Sequence, residues 1–136
     1  MSQRHEPVIY PETRFYWDGA KLGKLMLQRC APCDAPYFPP RPFCPNCGSR
    51  DVSAFQATGR GTLHSYVINQ LPAPGYEPPF TVAVVALEEG PRMMSNIVDC
   101  PPDPAALQLD MPLEVTFEQR GETTVPQFRP ATGSAA

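Results

Sequence analysis

Four of the five cysteines form two pairs, each with two residues between the thiols. They are Cys30, Cys33, Cys44 and Cys47, and the second pair lies in the sequence CPNCG. Two intervening residues allow one tight turn to direct both sulfurs at the same point, and Gly48 permits the left-handed backbone that such a turn often needs. Two facing turns would then offer four sulfurs in a tetrahedron. This pattern favours a closed structural zinc site, although the spacer of ten residues is shorter than usual.

Three alternatives to zinc use the same cysteines. Iron could occupy a rubredoxin-like site with the same four ligands. Disulfides require an oxidising compartment, whereas the polar start of the chain lacks the apolar stretch of a signal peptide. Thioredoxin-like chemistry is disfavoured because no βαβ pattern surrounds the motif and because the pair is doubled. Four thiolates leave no open position for water, so we expect the metal to stabilise the segment rather than to catalyse.

Few other side chains could do chemistry. Cys100 stands alone before two prolines, with no basic neighbour to lower its pKa. His64 falls in a predicted strand, on the same face as Tyr66, where a structural role is commoner than a catalytic one. Glu88 and Glu89 are adjacent, which is poor geometry for a pair of catalytic carboxylates. The sequence therefore predicts no catalytic residues.

Composition and charge exclude several classes of protein. The 136 residues include 19 prolines, and a helix interior loses about 3 kcal/mol per proline. A helical bundle, a Rossmann fold and a TIM barrel are thus excluded, and no apolar run approaches the ~20 residues of a membrane span. Residues 1–60 carry a net charge of +3 and residues 61–136 one of −6. Residues 61–136 therefore lack the basic stripe of a nucleic-acid binder. Because the sequence predicts neither a signal peptide nor a membrane span, we expect a soluble cytoplasmic protein.

The pattern of residues predicts four segments. Residues 1–26 form a helical segment with a short helix after Thr13, and residues 27–56 form the cysteine module, whose six prolines prevent a core of its own. Residues 57–129 read as a β-barrel, and residues 130–136 as a disordered tail. Five short strands favour closure, because a closed barrel has no exposed edges. The predicted strands are Thr62–Asn69, Phe80–Leu87, Arg92–Val98, Leu113–Glu118 and Val125–Phe128, with a kink or bulge at Gly59–Gly61 and a turn at Gly121–Thr124.

The order of these motifs resembles an acyl-CoA-associated zinc-ribbon/OB-fold family, long known only as a domain of unknown function. The resemblance covers residues 12–130 and rests on FYWDGAKLGKLMLQRC, CPNCG, GRGTLHSYVI and PPFTVAVVALEEGPRM. It implies a mainly β protein with a short N-terminal helix, a rubredoxin-like zinc ribbon and a five-stranded OB-fold barrel. The four paired cysteines correspond to the family's metal ligands.

The resemblance also implies a role without catalysis. Members of the family are accessory subunits of thiolase-like enzymes, including acyltransferases and sterol-carrier-type thiolases that act as retro-aldolases on steroid side chains, and they help to bind acyl-CoA. Some relatives carry a fused hydratase of hot-dog fold, which this chain is too short to contain. Two other hypotheses stay open: a single-stranded nucleic-acid-binding module, and a small enzyme that uses His64 or Cys100.

Physical chemistry suggests which side chains would meet such partners. Arginine binds phosphate through its planar fork, and aromatic rings can shelter the thin pantetheine arm of CoA. An aromatic cluster on the helix would either pack over the cysteine module or contact the partner protein. The candidate CoA contacts are Phe38, Arg41, Phe43 and Arg60, and the candidate docking residues are Phe15, Tyr16 and Trp17.

Overall fold

The computed structural model describes residues 6–131. Over this range the chain forms one short helix and a closed five-stranded barrel, as predicted, together with a three-stranded antiparallel sheet in the cysteine module. No helix in this range is long and apolar enough to cross a membrane. The elements are a 3-10 turn at Pro11–Thr13, helix α1 at Arg14–Lys21, and strands β1 Met26–Cys30, β2 Pro36–Tyr37, β3 Val52–Gln56, β4 Arg60–Asn69, β5 Phe80–Leu87, β6 Arg92–Ile97, β7 Pro112–Arg120 and β8 Thr123–Pro130.

Helix α1 begins directly after Thr13, but the Thr13 side chain does not cap it. Its hydroxyl instead donates to the carbonyl oxygen of Tyr10 at 3.1 Å and accepts from the Tyr10 N–H at 3.1 Å. The helix is short, as predicted: it ends at Lys21, and Met26 already belongs to β1. A Cβ atom at Gly19 would collide with the Met26 side chain. This glycine therefore allows α1 to pack tightly against β1.

Strand β1 is the centre of the three-stranded sheet. It pairs antiparallel with β3 along its whole length, from Met26 opposite Gln56 to Cys30 opposite Val52, and with the two residues of β2. Leu27 is buried in the same hydrophobic cluster as the inward-facing side chains of the barrel. The end of the sheet that contains Leu27 therefore shares the barrel's core. The other end of β1 delivers Cys30 to the top of the sheet.

The barrel closes in the order β4-β5-β6-β8-β7, with β7 returning to β4. All neighbours are antiparallel except β6 and β8, which run parallel and meet at Ile97 and Phe128. The last strand is longer than predicted: β8 starts at Thr123, so the turn contains only Gly121 and Glu122. It also continues to Pro130, and residues 132–136 of the predicted tail lie outside the described residues.

A register shift in β4 overturns the predicted face of His64. The irregularity lies between Leu63 and Ser65, three residues beyond the predicted kink, and His64 is the extra residue. A bulge of this kind breaks the simple alternation of side chains. As a result Leu63 is buried and Tyr66 packs against the core, whereas His64 is exposed and does not share a face with Tyr66.

One hydrophobic core runs through the barrel and continues into the base of the cysteine module. Alternate residues of β5 point inward, since Thr81, Ala83, Val85 and Leu87 are buried and their neighbours are half-buried. The largest fully buried apolar side chains besides the cysteines are Leu25, Leu27, Leu63, Val85, Leu107, Leu113 and Phe128.

Candidate metal centre

The four paired cysteines converge at the tip of the three-stranded sheet. The sulfurs of Cys30, Cys33, Cys44 and Cys47 all lie within 4.8 Å of one another. Cys30 Sγ is 3.5 Å from Cys47 Sγ, and Cys33 Sγ is 3.6 Å from Cys44 Sγ. A tetrahedron with metal–sulfur bonds of about 2.3 Å has sulfur–sulfur edges of about 3.8 Å. The four ligands therefore fit one tetrahedral ion, and this donor set is typical of structural zinc.

Each pair of cysteines is shaped by a left-handed residue directly after its second member. Gly48 has φ 78°, as the sequence predicts, and Asp34 takes the same conformation in the first pair with φ 55°. In the second turn the Gly48 N–H donates to the carbonyl oxygen of Cys44 at 2.8 Å, and the Asn46 N–H donates to Cys44 Sγ at 3.3 Å. The Asp34 side chain also accepts from Arg29 at 3.3 Å.

The four thiols influence one another strongly. Burial alone would raise the pKa of Cys44, but hydrogen bonds from the backbone N–H groups of Cys47 and Asn46, followed by the neighbouring thiols, lower it to about 7. The backbone N–H of Cys33 favours the Cys30 thiolate, yet burial and the surrounding thiols raise its pKa to about 12. Four like groups cannot ionise independently at this separation, and a bound cation is what allows all four to become thiolates.

The spacer between the cysteine pairs is held by a clamp that the sequence does not reveal. The Gln28 Oε1 atom accepts from the Arg41 N–H at 2.7 Å, and the Tyr37 hydroxyl donates to the Arg41 carbonyl oxygen at 2.9 Å. Gln28 and Tyr37 are both buried, and burial raises the pKa of Tyr37, so its hydroxyl keeps its proton. The backbone of Arg41 is thus fixed on both sides while its side chain remains exposed.

The four candidate CoA contacts have different surroundings. Phe38 packs against the core, with its ring centroid 5.5 Å from that of Tyr16. Arg41 and Phe43 project from the clamped spacer, and Phe43 is 40% exposed. Arg60 is exposed at the start of β4. Of the four candidates, Phe38 is therefore packed within the chain, whereas the other three are accessible to a ligand.

The aromatic cluster of α1 is divided in a similar way. Tyr16 is 6% exposed, and burial raises the pKa of its hydroxyl. Its ring meets Trp17 edge-on at 4.9 Å. Phe15 and Trp17 are half-buried beside it, and Leu22 at the end of the helix is 72% exposed. Tyr16 thus packs within the chain, whereas its neighbours keep part of their surface accessible.

The other candidate chemical groups are not assembled into a catalytic pair. Within residues 6–131 no hydrogen bond or ion pair joins His64 to a carboxylate or a thiol. The Cys100 thiol donates to the carbonyl oxygen of Ala106 at 3.8 Å, and burial raises its pKa. A nucleophilic cysteine needs the opposite shift.

The two adjacent glutamates, Glu88 and Glu89, connect the barrel to the cysteine module. Glu89 Oε2 accepts from the Thr58 N–H at 2.8 Å, and Glu88 Oε2 accepts from the Thr58 hydroxyl at 3.3 Å. The Glu88 N–H donates to the Arg60 carbonyl oxygen at 2.9 Å. Both glutamates therefore hold the passage from β3 to β4.

Known proteins share this combination of domains. Residues 17–53 match the model of the ChsH2 rubredoxin-like zinc ribbon domain, and residues 55–118 match that of the ChsH2 C-terminal OB-fold domain. A solved structure described as the Ltp2-ChsH2(DUF35) aldolase superposes with a TM-score of 0.81 at 37% sequence identity, covering 92% of this chain and 98% of that one. The chain belongs to the ChsH2 (DUF35) family. The tetrathiolate of this DUF35 chain is accordingly that of a zinc ribbon, which agrees with the sulfur geometry.

Two relatives show how DUF35 chains occur elsewhere. A "probable enoyl-CoA hydratase alpha subunit" of Thermomonospora curvata is 39% identical over 130 residues, which are 94% of this chain and 40% of that protein. A "DUF35 domain-containing scaffold protein" of Methanothermobacter thermautotrophicus is 34% identical over 94 residues, covering 67% of this chain and 69% of that protein. This DUF35 chain thus spans well under half of the hydratase subunit but most of the scaffold protein.

Proposed function

We propose that this chain is a non-catalytic accessory subunit that binds a thiolase-like acyltransferase or retro-aldolase and contributes to its acyl-CoA site. The similarity to the DUF35 subunit of an aldolase, with a TM-score of 0.81 over 98% of that chain, carries the proposal. The name "scaffold protein" of a relative supports the absence of catalysis, and the enoyl-CoA hydratase subunit supports acyl-CoA as the substrate class. Four thiolates require a reducing compartment, so we place the chain in the cytoplasm.

The CoA contact is proposed for the exposed face of the spacer and for the junction with the barrel. Arg41 extends from a backbone that Gln28 and Tyr37 hold in place. A cation on a fixed backbone loses less conformational freedom when it binds a phosphate. Phe43 offers an exposed ring two residues away, and Arg60 adds a second exposed cation.

The partner contact is proposed for helix α1. Trp17 and Phe15 are half-buried beside Tyr16, and Leu22 exposes most of its side chain at the end of the same helix. Partly exposed aromatic rings on a supported helix are typical centres of protein interfaces. In this proposal Tyr16 supports its neighbours from within the chain, and Trp17 makes the contact.

The test is reconstitution of the full chain, loaded with zinc, with the thiolase-like enzyme that co-purifies with it. We expect a stable complex and a partner rate that depends on the chain. Arg41→Ala combined with Arg60→Ala should raise the KM for acyl-CoA about tenfold while the complex still forms. Arg92→Ala, an exposed arginine at the start of β6, is the matched control and should leave the KM unchanged. A chain that never binds a thiolase-like protein would contradict the proposal.

Nucleic acid is not included among the proposed partners. OB-folds bind single strands on the face of their second and third strands, which are β5 and β6 here. A groove of about 400 Å³ lies on that face, but no lysine or arginine is among the described residues that line it. A strand-binding groove needs cations to neutralise phosphates. Fluorescence anisotropy with a labelled oligothymidine at low salt should show no binding.

A further inference from the structure

The four metal ligands differ in how far solvent can reach them. Cys30 and Cys44 are buried, with 0% and 1% of their surface exposed, whereas Cys33 and Cys47 are exposed. A bound cation keeps all four sulfurs as thiolates, so their state of protonation does not distinguish them. Their reaction with an oxidant then depends on access and on the hydrogen bonds that each sulfur accepts. Access alone favours Cys33 and Cys47 as the first sulfurs to react.

Asn46 connects the two cysteine turns through hydrogen bonds to sulfur. Its backbone N–H donates to Cys44 Sγ at 3.3 Å, and its side-chain Nδ2 donates to Cys33 Sγ at 3.8 Å. These two sulfurs belong to different pairs and lie 3.6 Å apart. An N–H group that bonds to a thiolate stabilises its negative charge and makes it a weaker nucleophile. The Asn46 side chain therefore protects the sulfur of Cys33, which is otherwise open to solvent.

Cys47 is the ligand that lacks such a donor. Backbone N–H groups donate to the sulfurs of Cys30 and Cys44, and the Asn46 side chain donates to that of Cys33. In the described part of the chain no N–H group donates to Cys47 Sγ, which lies 3.5 Å from Cys30 Sγ. Cys47 is thus both exposed and without a protecting hydrogen bond.

We propose that Cys47 is the reactive sulfur of the metal centre and a site of oxidation by hydroperoxides, and that Asn46 keeps Cys33 from reacting in the same way. Because residues 30–51 have few other buried contacts, oxidation at Cys47 would unfold the cysteine module locally. The inference is separate from the proposed function, since it needs neither CoA nor a partner enzyme.

The oxidation proceeds in two balanced steps. In the first, the Cys47 thiolate attacks one oxygen of the peroxide: the S–O bond forms, the O–O bond breaks, the sulfur becomes a sulfenic acid and the other oxygen leaves as hydroxide. In the second, the Cys30 thiolate attacks the Cys47 sulfur from 3.5 Å away, so that a disulfide forms and a second hydroxide leaves. Both hydroxides take protons from solvent. The disulfide removes two of the four metal ligands, and the metal is released.

The first test is partial labelling of the full zinc-loaded chain with less than one equivalent of N-ethylmaleimide, followed by peptide mass spectrometry. Among the four ligands we expect Cys47 to carry at least tenfold more label than Cys33. The two buried ligands should carry less than either. Labelling that begins at another ligand, that spreads evenly over the four or that never reaches them would overturn the proposal. This experiment uses the unaltered chain and does not depend on the folding of any variant.

Asn46→Ala tests the protection of Cys33. It removes the side-chain donor but keeps the backbone N–H that bonds to Cys44 Sγ, so the ratio of Cys33 label to Cys47 label should rise at least fivefold while one zinc stays bound. Pro45→Ala is the matched control, because it changes the same exposed turn and removes no donor. Its ratio should equal that of the unaltered chain. An unchanged ratio in Asn46→Ala, loss of its zinc, or an equal rise in both variants would overturn the role of Asn46.

Hydrogen peroxide tests the oxidation itself, with a chromogenic zinc indicator present. We expect one zinc to be released for each disulfide between Cys30 and Cys47, as located by peptide mass spectrometry, and dithiothreitol with added zinc should reverse the change. Cys100→Ser should release zinc at the same rate, because Cys100 lies outside the four-sulfur cluster. Release without a disulfide, a disulfide between Cys33 and Cys44 instead, or resistance to peroxide that oxidises free cysteine would overturn the proposed reaction.

Discussion

The cysteine module and the barrel reach a stable fold by different means. Between residues 30 and 51 the only buried side chains are the ligands Cys30 and Cys44 and the clamp residue Tyr37. The barrel instead buries apolar side chains from every one of its strands, with Leu63, Val85 and Phe128 fully enclosed. The comparison teaches that the metal centre replaces a core in residues 30–51, while the barrel depends on apolar burial.

Removal of the metal should produce the largest effect and should divide the molecule in two. Structural zinc supplies on the order of 10 kcal/mol in small zinc domains, and residues 30–51 have little else to hold them. Chelation, or Cys47→Ser, should therefore abolish the dispersion of NMR signals from residues 30–51 and leave the barrel signals in place. Metal analysis of the untreated protein should give one zinc per chain and no iron.

Cys100→Ser is the control for this experiment, because Cys100 lies outside the four-sulfur cluster. It should retain one zinc per chain. If the barrel signals are lost together with those of the cysteine module, the two parts fold as one unit. That result would contradict the conclusion that they are stabilised by different means.

The converse experiment removes apolar volume from the barrel. Phe128 is fully buried and lies where β6 and β8 close the barrel. Phe128→Ala should lower the free energy of unfolding by about 3–5 kcal/mol, as measured by denaturant titration of the far-UV signal. Met94→Ala, at a side chain 70% exposed, should change it by less than about 0.5 kcal/mol. Similar losses in the two variants would contradict the assigned core.

The two cysteine turns provide a smaller and more local comparison. A Cβ at Gly48 would meet nothing within 4 Å, so Gly48→Ala introduces only the strain of a left-handed backbone, about 1–2 kcal/mol. Asp34→Gly relieves the equivalent strain in the first turn and loses only an exposed ion pair with Arg29. Transfer of zinc to a competing chelator should be faster in Gly48→Ala and slower or unchanged in Asp34→Gly. The same change in both variants would contradict the strain argument.

The clamp on the spacer should have the smallest effect. Tyr37→Phe removes the hydrogen bond to the Arg41 carbonyl oxygen and should cost about 0.5–1.5 kcal/mol. The barrel's denaturant midpoint should stay unchanged, and zinc transfer to a chelator should be moderately faster. Tyr10→Phe, at a side chain 55% exposed, controls for the loss of a hydroxyl. A shift in the barrel's midpoint would show that the clamp acts beyond the ribbon.

Features with a local cause could be read from the sequence. The metal ligands follow from the spacing of the cysteines, and the left-handed Gly48 follows from the tight turn they require. Strand β5 has the predicted bounds, Phe80–Leu87, because an apolar run between turn residues defines it. Closure of the barrel follows from the number of short strands in a limited length.

Features that depend on distant contacts could not be read in this way. The bulge at His64 is fixed by the pairing of β4 with β5, so period-two alternation gave the wrong face. The Gln28 bond to Arg41 joins residues 13 positions apart, and the bond from Thr58 to Glu89 spans 31 positions. The burial of Tyr16 depends on elements that the helix sequence does not contain. In each case the deciding neighbour is remote along the chain.

The Glu88–Glu89 corner at Thr58 has a mechanical consequence. The passage from β3 to β4 is only three residues long, and the neighbouring turn between β5 and β6 holds it through two carboxylates on Thr58 and a main-chain bond to Arg60. A passage this short, held by three hydrogen bonds, leaves the two modules little freedom to rotate against each other. A protein that binds either module therefore also restricts the orientation of the other.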